Sequence, residues 1–255
     1  MDNKWKRTTI FWIYGFVVIL LAIYVYFLGP RNVDSMIVFG DIAQLVTSLF
    51  AGVAMVYPLN KSIFGVEQAR PWRYIGAGFI AWGIGQAVWS FFEIVQRIEV
   101  PSVSWADIGF LLLYPLVFIG FYYQLKLYKK LKPPTFLLTL LLLFFVGGYL
   151  YLEWGAINSV VGFELFVRML YIIGDIGIVV GAALIANSTR GGLVWWAWMP
   201  LFWSFFLFSV GNSTFDYLEH AGTYQTGSLV DLSWIVAFVV AWIGAHIYST
   251  LMRVD

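Results

Sequence analysis

The chain has 255 residues, of which 61% are hydrophobic and only 11% are charged, and its formal net charge is +1. Soluble domains carry about 25% charged residues, so this composition excludes a soluble globular protein and predicts an all-α polytopic membrane protein. The chain contains no cysteine, which excludes disulfides, thiolate metal sites and cysteine nucleophiles.

Apolar runs of about 20 residues, the length that a transmembrane helix needs, follow one another along the chain. The first run is longer than the core of a signal peptide and no cleavage pattern follows it, so we interpret it as a span. We predict a single membrane domain, 1–255, that leaves no room for a soluble domain. Its eight transmembrane helices are predicted over 10–29, 34–58, 72–95, 104–128, 134–153, 160–187, 194–219 and 228–250.

The basic residues are segregated to one side of the predicted membrane. With eight spans and a cytoplasmic N-terminus, twelve of the 15 lysines and arginines are cytoplasmic, and only Arg31, Arg97 and Arg168 are not. This bias follows the positive-inside rule and predicts that both termini are cytoplasmic, whereas seven spans would remove the bias. The cytoplasmic set is Lys4, Lys6, Arg7, Lys61, Arg70, Arg73, Lys126, Lys129, Lys130, Lys132, Arg190 and Arg253.

An internal repeat relates the two halves of the chain. Three segments recur in the same order, and in the best match an amide, an aromatic residue and a carboxylate recur at the same offsets. Four helices return the chain to its starting side, so we predict two parallel four-helix repeats, about 1–130 and 134–255, with an axis near the membrane normal. The matched segments are 40–42 with 174–176, 85–93 with 211–219 and 104–107 with 228–231.

Polar side chains recur at matching depths in the predicted spans. Gln86, Trp89 and Glu93 share one helix face, and the equivalent face of 194–219 carries a similar set. Charged groups inside a membrane normally face the bundle interior or water and mark functional sites. The candidate ligand- or cation-binding residues are Asp41, Gln86, Trp89, Glu93, Asp107, Asp175, Asn212, Asp216, Glu219 and Asp231.

Structural roles remain open for several of these acids. Asp107 and Asp231 stand at predicted helix starts, where a carboxylate caps exposed amides and complements the helix dipole. Glu93 and Glu219 fit the headgroup region equally well. Hydrogen bonding between helices is the alternative for Asp41 and the equivalent Asp175.

The acids outnumber the bases in the predicted outer half. Arg97 and Arg168 are the candidate partners there, which leaves several carboxyl groups that are either protonated or share a cation. We therefore predict an acidic pocket in the extracytoplasmic half. It should be more acidic on the side of 194–219, because Asp216 stands where the first repeat has Ser90.

No motif of a metal centre, a known cofactor or a nucleic-acid site occurs. No lysine lies in mid-span, His220 and His246 lie at opposite depths, and the zinc-protease and nucleotide-binding patterns are absent. The deeper tryptophans either line a pocket for an apolar or cationic ligand or face lipid. They are Trp82, Trp89, Trp203, Trp234 and Trp242.

The stretch 82–120 carries Trp82, Gly85, Trp89, Glu93, Pro101-Ser102, Ala106-Asp107, Tyr114-Pro115 and Gly120. This pattern resembles the multi-span N-terminal sensor regions that are fused to bacterial diguanylate cyclases and histidine kinases. The resemblance implies a sensory input module with Asp107 and Tyr114 in its pocket. Only seven residues follow Tyr248, so we expect the output domain to be a separate membrane or cytoplasmic partner.

Three functions fit the sequence. We expect a non-enzymatic integral membrane sensor, ligand-binding protein or accessory subunit in the cell membrane. The alternative is a small proton- or cation-coupled secondary transporter, in which the two repeats would rock around the site. A membrane enzyme is the third hypothesis, although no nucleophile or metal set accompanies the acids.

Overall fold

The structure is a computed structural model that describes residues 15–56 with gaps at 17, 20, 24, 28, 30 and 31, together with residues 66–127 and 132–251. Every regular element in these ranges is helical, and the described part of the predicted first span, between 15 and 27, is helical too. Seven helices are described from end to end, and a π-helical segment, Phe91–Gln96, continues α2. They are α1 (Val33–Val56), α2 (Val66–Ser90), α3 (Ala106–Lys126), α4 (Phe136–Ser159), α5 (Gly162–Thr189), α6 (Trp195–His220) and α7 (Asp231–Leu251).

The prediction of an α-helical membrane protein is confirmed at the level of helix length and composition. Six of the described helices, all except α6, are long and apolar enough to cross a membrane. The helix α6 has 26 residues but includes four tryptophans, Pro200 and the polar residues Asn212, Asp216 and Glu219. These polar groups face other helices, so α6 lies inside the bundle despite its lower hydropathy.

Two predicted helix ends are wrong. The helix α2 begins at Val66 rather than at 72, because Pro71 in its second turn removes one hydrogen bond without ending the helix. The helix α4 begins after the N-cap Thr135, whose hydroxyl accepts from Leu138 N, and it continues to Ser159 rather than ending at Glu153. Glu153 does not mark the helix end, because its carboxyl group is buried in the bundle.

Two tight helix hairpins form the centre of the bundle. The helices α2 and α3 approach so closely that a Cβ atom on Gly109 would lie 2.5 Å from Gly85 N. The helices α6 and α7 pack in the same way, with Ser233 against Gly211. The helices α1 and α5 pack reciprocally, since α1 packs on α2 and α7 while α5 packs on α6 and α3. The helix α4 packs mainly on α6.

Aromatic rings join α2 to α6 along the middle of the bundle. Four ring pairs connect residues that are 126 positions apart, the same offset that relates Gln86 to Asn212 in the sequence repeat. Each of these positions therefore contacts its own counterpart. The pairs are Trp72 with Trp198 (centroids 5.5 Å apart), Phe79 with Phe205 (5.8 Å), Trp82 with Phe208 (5.9 Å) and Trp89 with Phe215 (6.0 Å).

The two ends of the bundle differ in charge. At one end, which we call the basic end, the described members of the predicted cytoplasmic set are Arg70, Arg73, Lys126, Lys132 and Arg190, and Lys132 Nζ donates to Arg190 O at 2.6 Å. The other seven members lie outside the described residues. At the opposite end, the acidic end, α2 and α6 finish and α3 and α7 begin, with Glu93, Asp107, Glu219 and Asp231 around them.

Candidate functional site

A cavity of about 100 Å³ opens in the bundle toward the acidic end, and a water needs only about 10–15 Å³. Its wall combines aromatic rings with carboxyl groups and amides from both halves of the chain. The rings are those of Trp82, Trp89, Phe110, Tyr171, Phe215, Tyr224 and Trp234. The charged residues are Asp107, Glu164, Arg168, Asp216 and Glu219, and the amides are Gln44, Gln86 and Asn212.

Asp175 is the centre of a fully satisfied hydrogen-bond network beneath the cavity. The Tyr149 hydroxyl donates to Asp175 Oδ2 at 2.7 Å, and the Tyr114 hydroxyl and Ser209 Oγ donate to Oδ1 at 3.0 and 3.1 Å. Asn212 Nδ2 donates to both oxygens, at 2.9 and 3.2 Å. These donors come from α3, α4 and α6, so Asp175 on α5 joins four helices. Hydrogen bonding between helices is the structural role that the sequence leaves open for this residue.

Asp41 occupies the matching position in the first half but has fewer donors. Gln86 Nε2 donates to Asp41 Oδ1 at 2.9 Å, just as Asn212 donates to Asp175. Asp41 Oδ2 is buried with no described donor in hydrogen-bonding geometry, and the acid Glu93 lies near it. The two equivalent aspartates therefore differ, because neutral donors surround one and a second acid faces the other.

Glu93 links the first half of the chain to the loop before α7. Trp89 Nε1 donates to Glu93 Oε2 at 2.9 Å, and Thr226 Oγ1 donates to Oε1 at 2.8 Å. The π-helical segment places Glu93 on the same side as Trp89 at a spacing of four residues. π-Helical turns are frequent at functional sites, and this one brings an acid to the mouth of the cavity.

Asp107 and Asp231 each accept one backbone amide and one tyrosine hydroxyl. Asp107 Oδ2 accepts from Ser104 N at 2.6 Å, and its Oδ1 accepts from the Tyr171 hydroxyl at 2.6 Å. These bonds fit the capping alternative, because each amide precedes a helix start.

Asp231 has the same kinds of partner: its Oδ2 accepts from Gly227 N at 2.7 Å, and its Oδ1 accepts from the Tyr224 hydroxyl at 3.0 Å. Burial and the neighbouring Asp231 carboxylate raise the pKa of Tyr224, so its hydroxyl remains the proton donor in this bond.

Arg168 is surrounded by three acids at one wall of the cavity. Arg168 Nη1 lies 3.2 Å from Asp216 Oδ2 and 3.7 Å from Glu153 Oε2, and Nη2 lies 4.0 Å from Glu219 Oε2. Glu153 is fully buried, whereas the Glu219 side chain is 35% exposed. One guanidinium group cannot neutralise three carboxylates, so this wall keeps an excess of acid.

The structure divides the predicted site residues into two groups. Those that line the cavity are Gln86, Trp89, Asp107, Asn212, Asp216 and Glu219, while Glu93 lies at its mouth. Those that lie outside its lining are Asp41, Tyr114, Asp175 and Asp231, which support the residues around it. Of the deeper tryptophans, Trp82, Trp89 and Trp234 line the cavity and Trp203 is half-exposed.

Several residues of this site are not evident from the sequence. The hydropathy pattern puts Glu153 at a helix end, and no sequence motif marks Tyr149, Tyr171 or Tyr224 as site residues. One feature of the sequence could have indicated two of these residues. Tyr149 and Glu153 are four residues apart, so they share a helix face if α4 continues beyond Glu153. The sequence indicates Arg168 only as a general counter-ion.

Among the described residues, no group of three or more histidines and acids is arranged to hold a metal ion. No protein-family model, curated protein or solved structure matches this chain.

Proposed function

We propose that the chain crosses the membrane eight times as two parallel four-helix repeats, with both termini cytoplasmic. The four aromatic pairs at an offset of 126 support this arrangement, because residues that contact their own counterparts lie on a twofold axis. The reciprocal packing of α1 on α7 and α5 on α3 is also expected from such an axis. The cluster of lysines and arginines supports a cytoplasmic position for the basic end.

Within this arrangement, we propose a non-enzymatic membrane sensor, ligand-binding protein or accessory subunit that takes a small organic cation in the extracytoplasmic half. One observation carries the proposal: one cavity combines clustered aromatic rings with more carboxyl groups than bases. Aromatic faces and carboxylates both attract a cation, and the rings also accept its apolar body. An apolar ligand would leave the excess of acid around Arg168 uncompensated.

The resemblance of 82–120 to bacterial sensor regions favours a signalling role for this binding. Asp107 lies in the cavity wall, and Tyr114 bonds Asp175 directly beneath it, so both motif residues belong to the proposed site or its support. A ligand that contacts both halves would change the packing of α2 against α6. A separate membrane or cytoplasmic partner would receive that change.

Binding of benzyltrimethylammonium tests this proposal, with neopentylbenzene as the uncharged isostere of the same shape. Tryptophan fluorescence of the purified protein should respond to the cation at concentrations at least about tenfold lower than to the isostere. Glu219→Gln, which removes a half-exposed carboxylate from the cavity wall, should weaken cation binding about tenfold. The control Asp34→Asn removes an exposed acid outside the cavity and should leave binding unchanged.

Equal responses to the two compounds would contradict a cation site and favour an apolar ligand. Binding that is unaffected by Glu219→Gln would place the cation elsewhere on the molecule.

A proton- or cation-coupled transporter is the second candidate, and the position of the cavity between the two halves favours it. Transporters with parallel repeats bind substrate at the repeat interface and move one half against the other. Uptake of benzyltrimethylammonium into proteoliposomes distinguishes the two functions. A transporter shows flux that fails in Asp41→Asn or Asp175→Asn, whereas a sensor binds the cation without flux.

A further inference from the structure

Glu153 is a buried carboxyl group without a hydrogen-bond donor. Its side chain is fully buried in α4, and neither Oε1 nor Oε2 has a described hydrogen-bond partner that donates to it. The Arg168 guanidinium approaches Oε2 at 3.7 Å, beyond hydrogen-bond distance, and its Nη1 lies closer to Asp216, at 3.2 Å. A buried acid in this position needs either its own cation or a proton.

The neighbouring helices supply acids rather than bases around Glu153. Asp216 faces Glu153 from α6, and Asp175 stands on α5 with Arg168. Glu219, Glu164 and Asp107 lie around Asp216 and Arg168. The α4 neighbour Tyr149 is neutral and donates to Asp175. Arg168 is therefore the one base that acts on this cluster among the described residues.

The carboxyl groups of Asp216 and Glu153 approach the same guanidinium nitrogen, Arg168 Nη1, at 3.2 and 3.7 Å. Two carboxylates repel one another and one guanidinium group compensates only one of them, so this pair requires a proton on one of the two acids. We propose that Glu153 and Asp216 share one proton beside Arg168, and that an organic cation entering the cavity takes the place of this proton. The exchange rests on the proposed function, whereas the shared proton stands without it.

The route of the exchange follows from which acid reaches the cavity. Asp216 lines the cavity and Glu153 does not, so the proton leaves from Asp216 through the cavity to solvent. The O–H bond breaks, both carboxylates become ionised, and the incoming cation supplies the positive charge that the proton carried. The net charge of the cluster with its occupant is the same before and after, so neither state leaves an uncompensated buried charge.

Infrared difference spectroscopy tests the shared proton without any ligand. The spectrum of the wild-type protein minus that of Glu153→Gln should contain the C=O stretching band of one protonated carboxylic acid. The side-chain amide introduced by this substitution donates to Asp216 in place of the proton, so the fold should be retained. The same subtraction for Asp34→Asn, an exposed acid, should contain no such band.

Asp216→Asn provides a second variant if Glu153→Gln does not fold. Its amide donates to Glu153, which then ionises beside Arg168, and the same band should disappear. If the folded variant keeps the full intensity of the band in the protonated-acid region, no proton is shared and the proposal is overturned.

Titration calorimetry with benzyltrimethylammonium tests the exchange. Measured in two buffers that differ in ionisation enthalpy, wild-type protein should release about one proton per cation bound, and Glu153→Gln should release none. Cation binding without proton release would overturn the exchange and leave the proposed function intact. If the cation does not bind but the infrared band depends on Glu153, the proposed function fails and the shared proton stands.

Discussion

At the scale of single residues, Asp41 and Asp175 stand at equivalent positions of the two proposed repeats but have different partners. Each follows a glycine and each accepts from an amide on the next helix. Asp175 also accepts from two tyrosines and a serine, so it is a hydrogen-bond centre that holds helices together. Asp41 has an oxygen without a donor and faces Glu93, so it does not join helices in the same way.

This difference predicts that the same substitution affects stability much more at Asp175 than at Asp41. Asp175→Asn turns one acceptor oxygen into an NH2 group that faces donors, so it should lower the free energy of unfolding by about 3 kcal/mol. Asp41→Asn keeps the acceptor for Gln86 and adds a donor toward Glu93, so it should leave stability within about 1 kcal/mol of wild type.

Thermal unfolding of the detergent-solubilised protein measures both variants against wild type. Equal destabilisation would mean that Asp41 is as strongly held as Asp175, which would contradict the difference in their donors.

At the scale of secondary-structure elements, the small residues of the hairpins decide how closely the helices approach. In α2 and α3, Gly85 and Gly109 bring one backbone against the other, and α6 and α7 use Gly211 against Ser233. Helix pairs in membranes gain stability from such close packing, because lipid offers little hydrophobic drive between helices. The aromatic rings between α2 and α6 then fill the space between the two hairpins.

Alanine substitutions at two glycines test this packing. In Gly109→Ala the new Cβ atom would lie 2.5 Å from Gly85 N and 2.6 Å from Ala81 O, so the variant should lose about 2 kcal/mol of stability. The control Gly147→Ala adds a Cβ atom on α4 that meets no atom within 4 Å, and it should be neutral or slightly stabilising. Thermal unfolding of both variants gives the comparison, and equal losses would contradict close packing as the cause.

At the scale of the whole molecule, the proposed position in the membrane rests on the segregation of charge and on the proposed axis between the halves. The basic end carries the described lysines and most of the described arginines, and the acidic end carries the cavity. In the proposed orientation, the cavity is open to the extracytoplasmic side. The partner would contact the opposite end.

Single cysteines report this orientation without interference, since the chain has no cysteine of its own. A membrane-impermeant maleimide should label Ser102→Cys at the acidic end in intact cells. It should label Leu193→Cys, in the loop between α5 and α6 at the basic end, only after the cells are opened. The reverse pattern would place the cavity in the cytoplasmic half and contradict the positive-inside argument.

Most of the helices could be predicted from the sequence, because apolar runs of the required length are visible without tertiary information. The same holds for the repeat anchors, since Asp41, Gln86, Asp175 and Asn212 recur at fixed offsets. The ends of helices could not be placed as well. In the sequence, the charged residue Glu153 suggested that the helix ends there. The helix continues past Glu153 because its carboxyl group is buried beside Arg168.

The sequence by itself determined the class of the protein, since a chain this apolar has to place its helices in a membrane, and it identified most of the acids around the cavity. Only the tertiary structure decided which of these acids is held by donors and which is not. That distinction depends on the partners that other helices bring: three helices give Asp175 its donors, while Glu153 and Asp216 meet across α4 and α6 beside a single arginine. Sequence spacing describes one helix at a time, and the chemistry of this site lies between helices.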